Sequence, residues 1–389
     1  MTVEIAEAPS ECETGSRYSL EFLDGLRGLA ALWVTVHHAR WLLWEGVTDG
    51  YHRHPERYSL LSKALIAGLA PFRLGHEAVL FFFVLSGFVI HLSYARKLSV
   101  EGETARFGFR AYVWRRARRL YPPLFFAMAA TVLLDCAAAF PIYSGQTPYV
   151  LINDSIQPHH EWSTAMMNLI FMMGTWRPSW GTNEPLWTLH FEWWFYMIYP
   201  FLWLVSKRSV IGVTVLVLML AAASWLTEEI GAPSAIIFLA DVFVSLLTWW
   251  MGAILADAFT GRLKIPYAWL AGLSPLLVIA PLAKLPVGPL NNLLYALGFT
   301  GLLAGCLALR KRGARLWALV RLKPLGDMSY TLYVTHFPII VFLSGWLMSR
   351  SPTHELPAHL GWIFAGTALA LLFAYGAHFF VERPFVSRR

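Results

Sequence analysis

The chain has 389 residues, of which 57% are hydrophobic and only 14% are charged, and its formal net charge is +7 at pH 7. Soluble domains carry about 25% charged residues, so this composition excludes an ordinary soluble enzyme, and its apolar content excludes a disordered chain. Three widely spaced cysteines exclude a disulfide-stabilised secreted fold. The composition indicates a polytopic membrane protein, and the positive charge leaves nucleic acid, anionic lipid or an anionic cofactor open as partners.

Ten apolar segments have about the 18 to 25 residues that a helix needs to cross a bilayer. Residues 1–19, which precede them, are acidic and polar and lack the apolar core of a signal peptide. We therefore predict an all-α fold, with a flexible cytoplasmic tail over 1–19 and a single transmembrane domain over 20–389. The predicted spans are 22–42, 77–95, 120–140, 186–206, 209–227, 235–256, 266–283, 291–309, 327–349 and 358–381.

Lysine and arginine are distributed unevenly between the two sides of these spans. With the N-terminus inside, the inner segments carry 23 of the 31 basic residues and the outer segments carry 8. Because basic residues accumulate on the cytoplasmic side of membrane proteins, both termini are predicted to be cytoplasmic, and most of the positive charge records topology. Two outer connections, 43–76 and 141–185, are long, and long ordered loops are often functional.

The first span contains Arg27 and His38, which are 11 residues apart. In an α-helix this spacing is about three turns plus 20°, with a rise of ~16.5 Å, so both side chains face the same way. Ionisable side chains inside a membrane are costly and are functional hypotheses by default. A buried neutral imidazole suits a general base, while a hydrogen-bonded core histidine beside a topology-setting arginine is the alternative.

The second span contains Ser86 and Gly87 within a run of phenylalanines. Small residues permit close approach of two helices, so one interpretation is that Ser86 and Gly87 serve helix packing. The alternative is that Ser86 belongs to the functional site.

Four arginines occur within five residues just before the third span, Arg116 and Arg119 among them. Such a cluster can set topology or bind anionic lipid. Guanidinium groups also suit the binding of phosphates, so a phosphate clamp is the functional alternative.

Two later spans carry further ionisable groups. Glu192 lies six residues into the fourth span, about 9 Å below its outer end, where a structural ion pair and a catalytic role are both open. His336 lies at middle depth in the ninth span, six residues after Tyr330, and the tenth ends with Glu382 at the inner rim.

Taken together, these motifs resemble the integral-membrane acyltransferase family 3, which includes bacterial surface-sugar O-acetyltransferases. The resemblance covers roughly residues 20–385. One departure is Leu80, where family members often have aspartate, so no role of a carboxylate is carried over there. The matching motifs are the basic-x10-His pattern at Arg27 and His38, FFxLSGF over Phe82 to Phe88, RxxR at Arg116 and Arg119, W(S/T)LxxExxFY over Trp187 to Tyr196, SYxLYxxH over Ser329 to His336, and ExP over Glu382 to Pro384.

The resemblance implies a multi-pass O-acyltransferase of the bacterial inner membrane. Such an enzyme takes an acyl group, usually acetyl, from cytoplasmic acyl-CoA and passes it to a hydroxyl of a surface polysaccharide or lipid-linked glycan. His38 would be the general base or acyl carrier, and Glu192 would orient it. The residues implied for holding the coenzyme A phosphates are Arg27, Arg116 and Arg119, and those implied for supporting the substrates are Ser86, Tyr330 and His336.

The partners that we expect are acyl-CoA, a hydroxyl acceptor and membrane lipid, with neither metal nor nucleic acid. The sequence shows no fused hydrolase-like domain after the last span, so we expect either direct transfer or a separate periplasmic acyltransferase partner. Other acceptors in the family are small secreted molecules such as macrolides or nodulation factors. A transporter using intramembrane His, Glu and Arg is the alternative from another class, although no inverted repeat is visible.

Overall fold

The computed structural model describes residues 19–48, 50–174, 176–229, 233–279 and 288–385, so most of the predicted tail over 1–19 lies outside the described residues. The described chain is all-α, and its one pairing of extended backbone is an isolated bridge between His159 and Gly181. Ten of its helices have 11 or more residues. They are α1 (Phe22–Leu42), α2 (Gly75–Glu101), α3 (Phe109–Ala137), α4 (Trp187–Arg208), α5 (Val210–Glu229), α6 (Ser234–Phe259), α7 (Trp269–Ile279), α8 (Gly288–Lys311), α9 (Ser329–Met348) and α10 (Gly361–Val381).

Shorter helices lie in the connections. The two long outer connections hold most of them, and two more precede α9 on the inner side. The short α-helices are Gly50–Arg53, Leu60–Leu69, Val150–Ser155, Trp162–Leu169, Trp317–Arg321 and Lys323–Asp327, and the 3-10 turns are Glu45–Thr48, Pro55–Arg57, Ala70–Arg73, Gly102–Thr104, Pro141–Ser144 and Glu184–Leu186.

Each of the ten predicted spans overlaps one of the ten long helices, and the end of the span predicted over 266–283 lies outside the described residues. Within the described residues, six helices are long and apolar enough to cross a membrane, so the prediction of an all-α polytopic membrane protein is confirmed. These six are α2, α3, α6, α8, α9 and α10. Among the other helices, α1 carries the charged residues Asp24, Arg27 and Arg40. The apolar parts of α5 (Val210–Trp225) and α7 (Trp269–Ile279) are shorter than 18 residues.

The third helix begins earlier than the sequence predicted. It starts at Phe109 instead of residue 120, so the arginine cluster lies on the first turns of a continuous helix and not in a loop. Pro122 and Pro123 follow within the same helix. The side chains of Arg116 and Arg119 are therefore held by a rigid element beside α4 and α9.

Helices α2 and α6 cross at two glycines. A Cβ on Gly87 would lie 1.9 Å from the carbonyl oxygen of Trp249, and a Cβ on Gly252 would lie 2.0 Å from that of Val84. Any side chain at either position would force the two backbones apart. Close packing through Gly87, one of the interpretations of the sequence, is thus observed, and it turns Ser86 toward the interior.

The two outer connections are packed onto the ends of α1 and α9 by a separate hydrophobic cluster. Leu42, Ile142, Ile152, Phe337 and Leu360 are among its buried members. Ser344 on α9 donates a hydrogen bond to the carbonyl oxygen of Leu42, with a distance of 2.6 Å. These contacts hold the connections against the ends of the two helices. Other members of the cluster line the larger cavity described below: Trp41, Trp44, Tyr51 and Ile66.

Candidate active site

His38 forms a hydrogen-bonded pair with His336. The Nδ1 atom of His38 lies 2.9 Å from the Nε2 atom of His336, joining α1 to α9 within the bundle. Toward the inner side, Arg27 Nη2 lies 3.3 Å from the hydroxyl of Ser329, at the beginning of α9. Both members of the basic-x10-His pattern therefore contact the same helix.

The surroundings of His336 determine which nitrogen of each ring carries hydrogen. The Nδ1 atom of His336 lies 3.1 Å from the carbonyl oxygen of Leu332 and 2.8 Å from that of Tyr333. Because carbonyl oxygens only accept hydrogen bonds, this Nδ1 carries the hydrogen, and the Nε2 of the neutral ring is an acceptor. His38 then donates from Nδ1, and its own Nε2 keeps the lone pair that a base or nucleophile needs.

A small cavity, which we call the inner cavity, brings five of the predicted site residues together. Its volume is about 80 Å³, and these five residues line it: Arg27, Ser86, Arg119, Glu192 and Tyr330. Tyr333 also lines it and stands beside His336, with 5.9 Å between the ring centroids. The inner cavity therefore ends close to the histidine pair.

The arginines of the inner cavity have carboxylates around them. Arg27 lies 3.6 Å from Asp24, and the charges of Glu192 and Glu382 act on both Arg27 and Arg119. Glu382 is itself held by the backbone amide and hydroxyl of Thr331, at 3.0 and 2.7 Å. This cluster joins α1, α3, α4, α9 and α10 around one small space.

Two predicted residues lie elsewhere than the sequence suggested. The expected contact between Glu192 and His38 is absent from the described hydrogen bonds, because Glu192 faces the inner cavity and accepts a hydrogen bond from Tyr196, one turn further along α4. His336 occupies the supporting position beside His38. Arg116 does not line the inner cavity; its guanidinium lies over the rings of Tyr112 and Tyr196, 5.3 Å from each centroid.

A larger cavity, which we call the outer cavity, opens on the other side of His38. Its volume is about 920 Å³, and its walls come from the end of α1 and from both long outer connections. The groups that matter below are His38, Arg40, Arg73, Asp154 and Glu184. Although the carboxylate of Glu184 reaches the cavity, the protein packed around it raises its pKa to about 7.

The second outer connection is fixed to the bundle by polar groups. Asp135, at the end of α3, accepts hydrogen bonds from the hydroxyl and amide of Thr182, at 2.7 and 3.0 Å, and lies 3.0 Å from His160. Gly181, the residue before Thr182, has a φ of +58°, and a Cβ atom at this position would lie 2.5 Å from the side chain of Thr131. Asn183 donates to the carbonyl oxygen of Val334 on α9 at 2.8 Å. The cavity wall is thus anchored beside the histidine pair.

The sequence did not single out the outer arginines or one buried histidine. Arg40 and Arg73 could have been found only by folding the first connection back over α1. His91 on α2 is fully buried, 2.9 Å from the hydroxyl of Tyr199 and 3.0 Å from Asp257, which also pairs with Arg262. Among the described residues, no group of three or more His, Cys, Asp or Glu side chains could hold a metal ion.

A bundle of membrane helices with a histidine pair between two cavities defines a polytopic membrane protein whose site lies within the bundle. The sequence model of a family described as an acyltransferase domain, acyltransferase family 3, matches residues 20–379. The chain therefore belongs to this family, which confirms the resemblance drawn from its motifs.

The chain is also similar to a Bacillus subtilis (strain 168) protein named "Putative peptidoglycan O-acetyltransferase YrhL". The two are 24% identical over 397 residues, which cover 93% of this chain and 54% of the relative. The chain thus spans about half the length of the curated relative it matches. No solved structure matches the chain.

Proposed function

We propose that the chain transfers an acyl group, acetyl in the first instance, from cytoplasmic acyl-CoA to a hydroxyl of a cell-envelope glycan at the outer face of the bacterial inner membrane. One observation carries the proposal: His38 lies between an arginine-lined inner cavity and an open outer cavity, with its Nε2 lone pair left free. Membership of the acyltransferase family supports the reaction class. The name of the Bacillus relative supports a glycan acceptor, and peptidoglycan is the first to test.

For the donor, we propose that Arg27 and Arg119 bind phosphate groups of coenzyme A at the inner side. Their guanidinium groups match phosphate oxygens in geometry and charge. The long thin arm of coenzyme A suits the rise of ~16.5 Å from Arg27 to His38. Because the inner cavity has only about 80 Å³, we expect Tyr333 and its neighbours to move when the thioester approaches His38.

For the chemistry, we propose that His38 acts as a general base. Its Nε2 accepts the proton of the acceptor hydroxyl as that oxygen bonds to the thioester carbon, and the carbon–sulfur bond then breaks. The proton passes from His38 to the departing thiolate, so that coenzyme A leaves as the thiol. His336 would share the transient positive charge through the hydrogen bond at Nδ1. The alternative is that Nε2 itself accepts the acyl group first.

The test uses the full chain, purified in detergent or nanodiscs, with radiolabelled acetyl-CoA and soluble glycan fragments. We expect release of coenzyme A and labelled ester, and a loss of about 10²- to 10⁴-fold in His38→Ala. His76→Ala is the matched control, because this outer histidine stacks on Trp187 and lines neither cavity. Full turnover by His38→Ala would overturn the mechanism, and label retained on the protein after rapid quenching would favour the acyl carrier.

A second experiment identifies the acceptor class. Mass spectrometry of peptidoglycan, surface polysaccharides and secreted small molecules is compared between strains with and without the gene. We expect an ester-linked acyl group to be missing from one glycan, whereas its loss from a macrolide or a nodulation factor would replace our acceptor. If no acyl group is lost and labelled acetyl-CoA is not consumed, the transporter alternative gains weight. In a further outcome, the strain without the gene loses acylation while the purified chain releases coenzyme A and forms no acylated glycan. That combination would indicate a separate periplasmic partner.

A further inference from the structure

Two guanidinium groups in the outer cavity, those of Arg40 and Arg73, form no ion pair with a carboxylate within the described residues. Arg40 lies near the end of α1, and Arg73 ends the 3-10 turn before α2. Within the described part of the chain, neither forms an ion pair with an acidic side chain. The neighbouring charge that acts on Arg40 is that of Arg73, which has the same sign.

The side chain of Arg40 also lacks a hydrogen-bond acceptor. Its Nε atom is buried from solvent and forms no hydrogen bond within the described residues. The indole Nε1 of Trp41, the next residue, is likewise buried without an acceptor. Buried donors are nearly always paired in folded proteins, so each one left without a partner calls for an explanation. Both residues line the outer cavity, where a ligand can supply acceptors.

The acidic groups of the outer cavity do not compensate these arginines. Glu184 has its pKa raised by the surrounding protein, with no arginine charge acting on it. Asp154 lies in the helix Val150–Ser155, on the second outer connection, and forms no ion pair with either arginine. Elsewhere on the outer side, by contrast, the guanidinium of Arg350 lies 4.1 Å from the centroid of the Trp346 ring. The outer cavity therefore contains two arginine charges that form no ion pair within the described residues.

The outer cavity also carries aromatic side chains. Trp41, Trp44 and Tyr51 line the same cavity. The indole nitrogen of Trp44 donates a hydrogen bond to Tyr58 at 3.0 Å, which fixes its ring. Fixed aromatic faces beside polar groups are suited to the apolar faces of sugar rings. A ligand of this cavity thus combines a sugar ring with negative charge.

We propose that the acceptor is an acidic glycan whose carboxylate or phosphate binds Arg40 and Arg73 while His38 addresses a hydroxyl of the same sugar or its neighbour. The proposal rests on the proposed function for the identity of His38, and it adds the chemical class of the acceptor. His38 and Arg40 lie on the same helix and both line the outer cavity, and Arg73 lines it too. A sugar anchored at the arginines therefore has hydroxyl groups within reach of the imidazole.

The first experiment measures binding alone, so that it does not depend on acyl transfer. The full chain in nanodiscs of phosphatidylcholine is titrated with an oligosaccharide containing glucuronic acid and with the same oligosaccharide after its carboxyl groups are reduced to alcohols. We expect the acidic probe to bind at least tenfold more tightly and its affinity to fall as salt is added. Equal affinity for the two probes would overturn the proposal.

Two further probes distinguish the source of the anion. A prenyl diphosphate-linked N-acetylglucosamine presents phosphate on a lipid-linked sugar, and nanodiscs with phosphatidylglycerol present it on a lipid headgroup. Competition of the first with the acidic oligosaccharide would assign the phosphate of a lipid-linked glycan as a ligand of the arginines. Competition by phosphatidylglycerol alone, with no preference between the two oligosaccharides, would mean that a lipid headgroup occupies the site and would contradict an acidic acceptor.

Substitutions of Arg40 and Arg73 test whether these two arginines cause the preference for the acidic oligosaccharide. In Arg40→Gln and Arg73→Gln we expect the affinity for the acidic probe to fall about tenfold or more, and that for the reduced probe to stay unchanged. Arg350→Gln removes a charge from the same side of the protein without touching the cavity, and it should retain the preference. A preference that survives in the double variant Arg40→Gln/Arg73→Gln would contradict our assignment.

The two proposals fail in different ways. If the chain acylates neutral and acidic acceptors with equal kcat/KM, the acidic-acceptor proposal is wrong and the acyltransferase proposal stands. If the chain binds acidic glycans through Arg40 and Arg73 but consumes no acyl-CoA with any of them, the proposed function is wrong and the binding site stands.

Discussion

The inner cavity has a volume of about 80 Å³ and the outer cavity one of about 920 Å³, and each is lined by two arginines. Arg27 and Arg119, in the inner cavity, share their surroundings with the charges of Glu192 and Glu382. Arg40 and Arg73, in the outer cavity, form no ion pair in the described chain, and the charge that acts on Arg40 is that of Arg73. The same residue type is thus held in two electrostatic settings on opposite sides of His38.

The difference follows from access to water. A charge enclosed among membrane helices is costly unless opposite charge and hydrogen bonds accompany it, so the inner arginines need carboxylates for the bundle to be stable. Arg73 is exposed and Arg40 is half-buried, with its Nε atom shut off from solvent, so the outer pair keeps part of its hydration without carboxylates and leaves its charge for a ligand. Under the proposed function, the inner pair would serve stability as well as donor binding, and a donor phosphate would compete with Glu192 and Glu382.

The largest effect is expected from closing the inner cavity. Ser86 lines it and accepts a hydrogen bond from the indole of Trp249 at 3.3 Å. Ser86→Phe fills much of so small a space, so we expect transfer from acetyl-CoA to fall below detection while glycan binding in the outer cavity is unchanged. Ser93→Phe, at an exposed position on the same helix, controls for the added ring. Normal transfer by Ser86→Phe would show that the donor does not pass through the inner cavity.

The inner and outer arginines are expected to differ in how much each contributes to the stability of the protein. Arg119→Gln removes a positive charge from beside Glu192 and Glu382 within the bundle, so we expect the variant to lose stability. Arg73→Gln, at an exposed position, should change stability by no more than about 0.5 kcal/mol. The midpoint of thermal unfolding in one detergent measures both. The double variant Arg119→Gln/Glu192→Gln should recover part of the loss, and equal midpoints for the two single variants would remove the contrast between the cavities.

Substitution of His336 tests the hydrogen bond between His38 and His336, which lies between the two cavities. Without its Nε2 acceptor, the Nδ1 hydrogen of His38 is no longer held, so we expect His336→Ala to lower kcat by about 10- to 100-fold with little change in either KM. In His336→Gln the amide oxygen can still accept that hydrogen, and part of kcat should return. A role in folding alone predicts no such recovery in correctly folded protein, and the pH dependence of kcat would then match that of the wild type.

The sequence predicted the helices of the bundle well because membrane spans depend on local composition. Arg27 and His38 could be related to each other because they share one helix. The partner of His38 could not be predicted, since which of the later helices packs against α1 depends on contacts nearly 300 residues apart, and Glu192 was assigned to it instead of His336. Arg40 and Arg73 escaped notice for the same reason, because only the folded first connection brings them together.

The smallest effect concerns pH in the outer cavity. The pKa of Glu184 is raised from 4.5 to about 7, so this side chain is mostly neutral below pH 7 and a carboxylate above it. An anionic acceptor should therefore meet additional repulsion above pH 7, and we expect its KM to rise about two- to threefold between pH 6 and 8, a modest change for charges separated by a water-filled space. Glu184→Gln should remove the rise, and a neutral acceptor should not show it in the wild type.

The same pKa predicts an independent change in stability. Because the folded protein holds this proton more tightly than the unfolded chain, the contribution of Glu184 to stability falls as the pH rises from about 4.5 to about 7 and levels off above that range. Glu184 is exposed to the cavity, so solvent keeps this change small. Thermal unfolding of the wild type and of Glu184→Gln across this range should show midpoints that diverge with rising pH, the variant becoming the more stable. Parallel midpoints, together with an unchanged KM profile, would show that Glu184 ionises in its ordinary range and that repulsion of the acceptor at neutral pH has another source.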